Sequence, residues 1–554
     1  MYRLNLLSEN VVDDMSRLYL WTLSAATYGM FFAIPFRKWF VIRKEYPFPS
    51  PRATAETIKI LHSSTGSDIP PLVKRQGIFM LSSFLASLTT TLSSHWISFF
   101  EEIHVLYWLG VSMGSNLLQS LDAKWGWFIS PSLPLIGSGF IIPLNVNLSF
   151  VFGAFLCYGV TGPVLVNNGF LAGATGFKTE GNGTAQSLFL WGGIALMLFS
   201  SLTEVLLTSA SALAELRALI LALFASLRVL GCKLFRLPTS TNPAIEQEKV
   251  IMDNDPVPAS EQIPKAWWVL GILVSMSTTC LIMALSFQIP FYQTVLSVIF
   301  AFLLGIVAVQ SAAETDINPV STLSKVVQVV FSAFPAPTIA DLQRSNLLCA
   351  LVTAAGAAQS ADMVSDLKTG HILETSPRAQ FYAQLVGTTF GVAYMIPLFI
   401  LYASAYPCII REMDKCPFGI SGVLGWQNTT VLLTKGLQIP AVAKYIALAC
   451  TIYAIVLTTI RIKFIPIQYH TSLPNLNAIG VGLILPQPST PIAMATGGII
   501  SFVWSRIDPN SHKSYHLVMG AGAMAGAGIS AALKAGLALA EVPSNLVKFG
   551  SIPN

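Results

Sequence analysis

The chain has 554 residues, of which 53% are hydrophobic and only 11% are charged. Soluble proteins carry about 25% charged residues, so this composition excludes a set of water-soluble domains, a disordered chain and a fibrous protein. The net charge of +5 is too small to indicate binding to nucleic acid. The composition therefore predicts a polytopic membrane protein whose main partner is the lipid bilayer.

Apolar runs that can cross a bilayer need about twenty residues each. Such runs occur near residues 18–36, 76–97, 133–166, 187–210, 266–286, 290–311, 380–404, 441–460, 488–505 and 517–540. The run at 133–166 is long enough for two spans or one broken helix, and the apolar segments near 312–334 and 347–363 carry charges. We expect an all-α polytopic fold with about 11–14 transmembrane elements, some of them broken or re-entrant.

Basic residues mark the cytoplasmic side of a membrane protein. Eight lysines and arginines between Arg37 and Arg75, and the polar stretch 233–265, predict two cytoplasmic segments. The loop 167–186 contains a glycosylation sequon at Asn182, which favours the other side. We predict a first transmembrane half at 1–232, a cytoplasmic linker at 233–265 and a second half at 266–554. A plasma membrane location is favoured, and an internal membrane is the alternative.

Two short sequences recur in the same order in both halves. Ser50–Ala53 (Ser-Pro-Arg-Ala) recurs at Ser376–Ala379, and Ile141–Pro143 resembles Ile484–Pro486. The recurrence favours two repeated halves, an arrangement in which transporters hold substrate near the membrane midplane. The second half has 110 residues before its Ser-Pro-Arg-Ala and the first has only 49, so we expect a first half that is shortened at the N-terminus.

The densest polar cluster within apolar sequence runs from Glu314 to Pro319. Charged groups at such a position are costly and usually face a cavity or a partner. A helix broken at Asn318-Pro319 would also expose a half-helix end, a common part of transporter sites. We expect substrate to contact Glu314, Thr315, Asp316 and Asn318. The alternative is an ordinary water-exposed loop between spans.

A second polar segment follows on a predicted helix. Gly356, Gln359 and Asp362 are three residues apart, so they share one helix face, on which small residues allow close packing. Gln359 is a further candidate for substrate contact, and Asp362 is a candidate for proton coupling.

Asp366 lies one helical turn beyond Asp362, and two neighbouring carboxylates raise each other's affinity for protons. The candidates for proton coupling are therefore Asp362, Glu314 and Asp366. The alternative for Asp366 is an ion pair with Lys368 or Arg378 that only fixes a loop.

Further candidates for the substrate cavity are Tyr382 and Gln384, with Asn145 and Asn147 as their counterparts in the first half. Hydrogen bonding between helices is the alternative for Tyr382 and Gln384. The histidines show no ligand spacing, and there is no phosphate loop, so we expect no bound metal, no cofactor and no enzymatic activity. Cys408 and Cys416 could bridge one loop, although two unrelated cysteines are favoured.

Three segments closely resemble the oligopeptide transporter (OPT) superfamily: Glu314–Pro319, Gln359–His371 and Ser376–Gln380. Tyr46–Glu56 is similar to that family's PFPSGTA motif, with Pro-Arg where Gly-Thr is usual. The resemblance extends from about Phe31 to Val542 and is strongest to the yellow-stripe-like metal-chelate transporters and their fungal relatives. The motif residues, or residues with a structural role, are Pro319, Gly356, Lys368, Gly370, Ser376, Pro377 and Arg378.

The resemblance implies a secondary active transporter that takes up small peptides or metal-chelate complexes together with protons. One alternative is a truncated OPT relative that does not transport and has an assembly or regulatory role. A second is an intramembrane aspartyl hydrolase, which is disfavoured because Asp362 and Asp366 lie on one helix rather than on two facing helices. Peptides and metal chelates both carry carboxylates and amines, so the polar residues do not separate the two substrate classes.

Overall fold

The computed structural model describes the chain except residues 9, 44–45, 63–70, 174–183, 209–254, 317, 406, 412–420, 436–440, 486–487, 541 and 544–554. Within these limits the fold is helical, with two isolated β-bridges, Ile103–Ile129 and Gly173–Thr184. Eight of the described helices are long and apolar enough to cross a membrane. The all-α polytopic membrane fold is therefore confirmed.

The helices before residue 209 are α1 (Met15–Phe36), α2 (Pro49–His62), α3 (Pro71–Ser93), α4 (Val105–Ser112), α5 (Asn116–Ala123), α6 (Leu133–Ile141), α7 (Leu144–Ala154), α8 (Gly162–Asn167) and α9 (Ala185–Thr208). Two π-helical stretches, Arg37–Arg43 and Phe155–Thr161, continue α1 and join α7 to α8.

The helices after residue 254 are α10 (Lys265–Phe287), α11 (Phe291–Thr315), α12 (Val320–Ser332), α13 (Ile339–Ile372), α14 (Pro377–Ala405), α15 (Ser421–Thr434), α16 (Ala441–Phe464), α17 (Leu476–Ile484), α18 (Ser489–Ile507) and α19 (Pro509–Leu539). The predicted break at Asn318-Pro319 is present, since α11 ends at Thr315 and α12 begins at Val320.

Two contacts show which segments lie at the same end of the helix bundle. Arg37 binds Asp255 through both terminal nitrogens, at 2.5 and 3.3 Å, and we call this end the basic face. Glu204, near the end of α9, accepts a hydrogen bond from Tyr46 at 3.4 Å. Helix α9 therefore starts at the opposite face. The sequon at Asn182 and linker residues 233–254 lie outside the described residues, and the identity of the cytoplasmic face stays a prediction.

A disulfide bond supports this arrangement. Arg378, at the start of α14, donates its backbone N–H to Glu261 at the basic face (3.1 Å), so the 29-residue α14 ends at the opposite face. Cys408 follows this end and is disulfide-bonded, so it is not a free thiol. Cys416 lies outside the described residues. Because disulfides persist in oxidising compartments, the bond agrees with an opposite face that is extracytoplasmic.

Two broken helices, α6–α7 and α17–α18, pack crosswise, which means that the first half of each contacts the second half of the other. The chain breaks between α6 and α7 at Ile142-Pro143 and again after α17 at Leu485. Helix α6 packs on α18, where a Cβ atom on Gly139 would overlap the backbone of Met494. Helix α7 packs on α17, where a Cβ atom on Gly153 would overlap the backbone of Ile479. The recurring Pro-containing segments thus both interrupt a helix, and the division into two halves stays a prediction.

Candidate functional site

Glu314 lies in the last turn of α11 and is only 7% exposed. Its Oε2 atom accepts hydrogen bonds from the amides of Asn475 at 2.9 Å and Asn477 at 3.4 Å. Its Oε1 atom accepts one from Gln310 at 3.2 Å. Asn475 also caps α17, because its side-chain oxygen accepts from the backbone N–H of Ala478. The carboxylate of Glu314 is thus held by neutral amides at the N-terminus of a half-helix.

A second carboxylate joins this group. Glu204 on α9 accepts from Gln310 at 2.7 Å and from Arg461 on α16 at 3.3 Å. The Gln310 amide nitrogen therefore bridges Glu204 and Glu314. Side-chain exposure is 11% for Glu204 and 22% for Arg461, so both charges are largely removed from solvent. Charged groups in such a place are costly and mark functional positions in membrane proteins. The Glu314 group is our name for six residues: Glu204, Gln310, Glu314, Arg461, Asn475 and Asn477.

Serine hydroxyls fix the orientation of Asn477. Ser200 and Ser201 on α9 donate to its side-chain oxygen at 3.2 and 3.3 Å. A hydroxyl donor on the oxygen leaves the amide nitrogen for Glu314, so the network itself determines which way this amide points. The group consequently ties α9, α11, α16 and α17 together through polar contacts.

The two predicted asparagines of the first half donate their amides to backbone carbonyls. Asn145 donates to the carbonyl of Leu473 at 3.2 Å, just before the start of α17. Asn147 is fully buried and donates to the carbonyls of Gly139 and Ile142 at 3.2 and 3.1 Å. Asn147 thus braces the break between α6 and α7.

Asp316 contacts α2. It adopts a left-handed backbone conformation with φ of 61°, which ends α11. Its carboxylate accepts from the backbone N–H of Ser50 at 3.1 Å and from the Ser50 hydroxyl at 2.5 Å. A carboxylate at a helix N-terminus is favourable because the first N–H groups there lack helical partners. Asn318 is exposed, Pro319 is buried at the start of α12, and the side chain of Thr315 lies outside the description.

Gln359, Asp362 and Asp366 lie on one face of α13. Gln359 donates to Thr388 of α14 at 3.5 Å, and both aspartates are exposed. Within the described part of the chain Asp366 forms no ion pair, and its role stays a prediction. Exposed carboxylates on a membrane-spanning helix face water rather than lipid. We therefore expect this face of α13, which we call the aspartate stripe, to border an aqueous space.

The motif residues around the aspartate stripe have structural contacts. Gly356 touches α1, since a Cβ atom on Gly29 would overlap the Gly356 carbonyl. Gly370 leaves room for Gln380, and Lys368 lies over the Phe48 ring at 5.7 Å. Pro377 starts α14, and Ser376 donates to the carbonyl of Glu261 at 3.3 Å.

Tyr382 and Gln384 lie on the first turns of α14. Arg378 donates to the hydroxyl of Tyr382 at 3.2 Å, and Gln384 is half-buried. Among the described residues, no hydrogen bond or ion pair joins the aspartate stripe to the Glu314 group. The convergence of Glu314, Asp316, Asn318, Gln359 and Asp362 on one cavity stays a prediction.

Sequence reasoning missed several members of the Glu314 group: Glu204, Gln310, Arg461, Asn475 and Asn477. A signal for Glu204 was available, because it is the only charged residue in the apolar run 187–210. Arg461 resembled an ordinary basic residue at the end of a span.

Comparison with known proteins gives one consistent result. A family model described as OPT oligopeptide transporter protein matches residues 4–538. A Saccharomyces cerevisiae protein named "Putative oligopeptide transporter" is 25% identical over 92% of this chain and 79% of its own length. An iron-phytosiderophore transporter of Oryza sativa subsp. japonica is 26% identical over 93% of this chain and 73% of its own. A probable metal-nicotianamine transporter of Arabidopsis thaliana is 23% identical, with coverages of 94% and 70%.

Proposed function

Because this chain belongs to the OPT oligopeptide transporter family, we propose that it carries small peptides or metal-chelate complexes across its membrane together with protons. Family membership and the eight long apolar helices make it a multi-pass membrane transporter. The cargo, the coupling to protons and a location in the plasma membrane are the proposal. Its support comes from the relatives, whose names include oligopeptide, iron-phytosiderophore and metal-nicotianamine transporters.

The observation that carries the coupling proposal is the buried carboxylate of Glu314 among three amides. As an anion it accepts their N–H groups. As an acid it needs one acceptor, and an amide that rotates offers its oxygen instead of its nitrogen. The same pocket can therefore hold either protonation state, but with different hydrogen bonds.

A change of these bonds acts on the start of α17. Asn475 caps this half-helix and binds Glu314 through the same side chain. Loading a proton on Glu314 removes the negative charge that holds Asn475 and Asn477, so α17 is free to shift relative to α11. Proton binding and helix movement are then linked, which is what coupled transport requires.

The aspartate stripe supplies the second part of the proposal. Asp362 and Asp366 border water and present negative charge to an amine or a metal cation. Gln359, Tyr382 and Gln384 add hydrogen-bonding groups on the two helices beside this space. A cationic substrate part at Asp362 would favour its ionised form, which gives a second route for proton release.

The test uses the full chain reconstituted in proteoliposomes under an imposed pH gradient. A labelled tetrapeptide and a labelled iron chelate are offered separately. The accumulation of each substrate against its own concentration gradient is measured. Glu314→Gln keeps the size of the side chain and can still form hydrogen bonds, but it cannot ionise. We expect it to abolish accumulation while exchange of internal for external substrate continues. The matched control is Glu374→Gln, an exposed glutamate in the turn after α13, which should accumulate normally.

Three results would contradict the proposal at different points. If the wild-type chain accumulates neither substrate, the proposed cargo and coupling are wrong. If Glu314→Gln accumulates substrate normally while Asp362→Asn or Asp366→Asn does not, coupling belongs to the aspartate stripe. Normal accumulation in all three variants removes every coupling residue named here.

A further inference from the structure

A cavity of about 220 Å³ opens at the opposite face, away from the Glu314 group. Four segments line it: the N-terminal residues Leu6 and Leu7, Arg17 of α1, Ser286–Gln288 at the end of α10, and Arg344 of α13. The cavity is far larger than a single water molecule needs. A carboxylate or phosphate group with a small part of its parent molecule has a comparable size.

Two arginines give this cavity its chemistry. Arg17 Nη1 lies 3.2 Å from Asp14, and Arg344 Nη1 lies 3.1 Å from Asp341. A guanidinium has five N–H donors. Within the described part of the chain, neither arginine makes another side-chain hydrogen bond, so most of their donors are left for a ligand.

The two aspartates are held by their own segments. Asp14 is 1% exposed and also accepts from the backbone N–H of Ser8 at 2.9 Å. Asp341 accepts from the hydroxyl of Thr338 at 2.7 Å, in the cap of α13. Each aspartate therefore fixes the position of its arginine. Each arginine uses only one nitrogen on its aspartate, so its remaining N–H groups can bind an anion in the cavity.

We propose that Arg17 and Arg344 together bind an oxyanion group, a carboxylate or a phosphate, in this cavity. Arginine matches both groups because its planar fork donates two parallel hydrogen bonds. Carboxylates occur on peptides and on metal chelates, and phosphates occur on lipid headgroups. A carboxylate of the transported molecule would make the cavity a first contact for substrate, and this version rests on the proposed function. Oxyanion binding itself does not depend on transport.

The experiment measures the thermal unfolding midpoint of the purified full chain in neutral detergent. Three probes are added separately: a tetrapeptide with a free C-terminal carboxylate, the same peptide as its C-terminal amide, and phosphatidylglycerol. We expect the free carboxylate or phosphatidylglycerol to raise the midpoint, and the amide to have little effect. Arg17→Gln and Arg344→Gln should each raise the probe concentration needed for half of the midpoint shift about tenfold or more. The reason is that an ionic hydrogen bond contributes more than about 1.4 kcal/mol. Arg411→Gln, an exposed arginine after α14, is the matched control.

Stabilisation by the free carboxylate that disappears in both variants assigns the site to a soluble substrate group. Stabilisation by phosphatidylglycerol alone, lost in the same variants, assigns it to a lipid phosphate. Arg17→Lys and Arg344→Lys keep the charge and should keep part of the response, which shows that a loss reflects binding rather than misfolding. The inference is wrong if no probe stabilises the wild type, or if the double glutamine variant responds like it. If the wild type binds a probe but does not accumulate substrate in proteoliposomes, this result counts against the proposed function alone.

Discussion

Ser50 and Asp316 are 266 residues apart in the chain and are joined by two hydrogen bonds. The backbone of Asp316 ends α11, and its carboxylate caps α2 at Ser50, so one residue serves both helices. A neighbouring backbone bond, from the N–H of Phe48 to the carbonyl of Ala313 at 2.9 Å, strengthens the junction. The junction fixes the segment that carries Glu314 to the segment that starts α2.

This relationship predicts the result of a double-mutant cycle. Asp316→Asn and Ser50→Ala should each destabilise the protein by about 1–3 kcal/mol, because each leaves a partly buried polar partner unsatisfied. The double variant should lose less than the sum of the two. The thermal unfolding midpoint in detergent is measured for the two single variants and for the double variant. Asn318→Ala, an exposed change two residues away, is the control, and strictly additive losses would show that the two side chains do not interact.

The pair formed by Arg461 and Glu204 predicts a strong asymmetry between single and double variants. Arg461→Met leaves the Glu204 carboxylate buried without this cation, which typically costs about 3–5 kcal/mol. Adding Glu204→Gln removes the buried charge and should restore most of the stability. The yield of monodisperse protein and its unfolding midpoint test this prediction. A double variant that is less stable than Arg461→Met would contradict it.

Crosswise packing of the broken helices predicts sensitivity at single glycines. Gly482→Ala places a methyl group against the backbone of Phe150 and should cost about 1–3 kcal/mol. Gly387→Ala on α14 has nothing within 4 Å of the new atom. It should be neutral or stabilising by up to about 1 kcal/mol, because alanine favours helix more than glycine does. Equal unfolding midpoints for the two variants would argue against the close contact.

We expect the stability of the protein to depend on pH through Glu102, which lies outside the membrane-spanning helices. Burial raises the pKa of Glu102 above its usual value of 4.5, and the nearby His104 at 3.3 Å acts in the opposite direction. A raised pKa means that the folded state holds the proton more tightly, so this group adds stability as the pH falls toward 4.5. The midpoint of the wild type relative to Glu102→Gln should therefore rise as the pH is lowered. A difference that falls as the pH is lowered would contradict the assignment to Glu102.

Local features of the sequence were enough to place Glu314 at a break between two helices. The apolar run before it and the proline at position 319 define that break without any tertiary information. The partners of Glu314 could not be read in the same way, because Asn475 is 161 residues away. The spacing of Gln359 and Asp362 predicted a shared helix face. The rotation of α13 about its axis decides where that face points, and this rotation depends on neighbouring helices.

The recurring Ser-Pro-Arg-Ala sequences show the same limit. Both stand at a helix start, as a proline in the first turn allows. Their partners differ, since Ser50 binds Asp316 and the Ser376 hydroxyl binds the carbonyl of Glu261. A local repeat therefore predicted where helices begin, whereas the identity of the contacts was set by the different segments around each copy.

The crosswise contacts between α6, α7, α17 and α18 also restrict how the protein can move. Where backbones touch at glycines such as Gly139 and Gly153, no side chain can change rotamer to let one helix slide past another. We therefore expect the four half-helices to move as one rigid block together with α9, because Gly193 of α9 meets Gly480 of α17 through the same kind of backbone contact. Longer helices such as α11 and α13 are then the parts left to rock. Probe pairs within the block should keep their separation through a transport cycle, and so provide a fixed frame in which every other displacement can be measured.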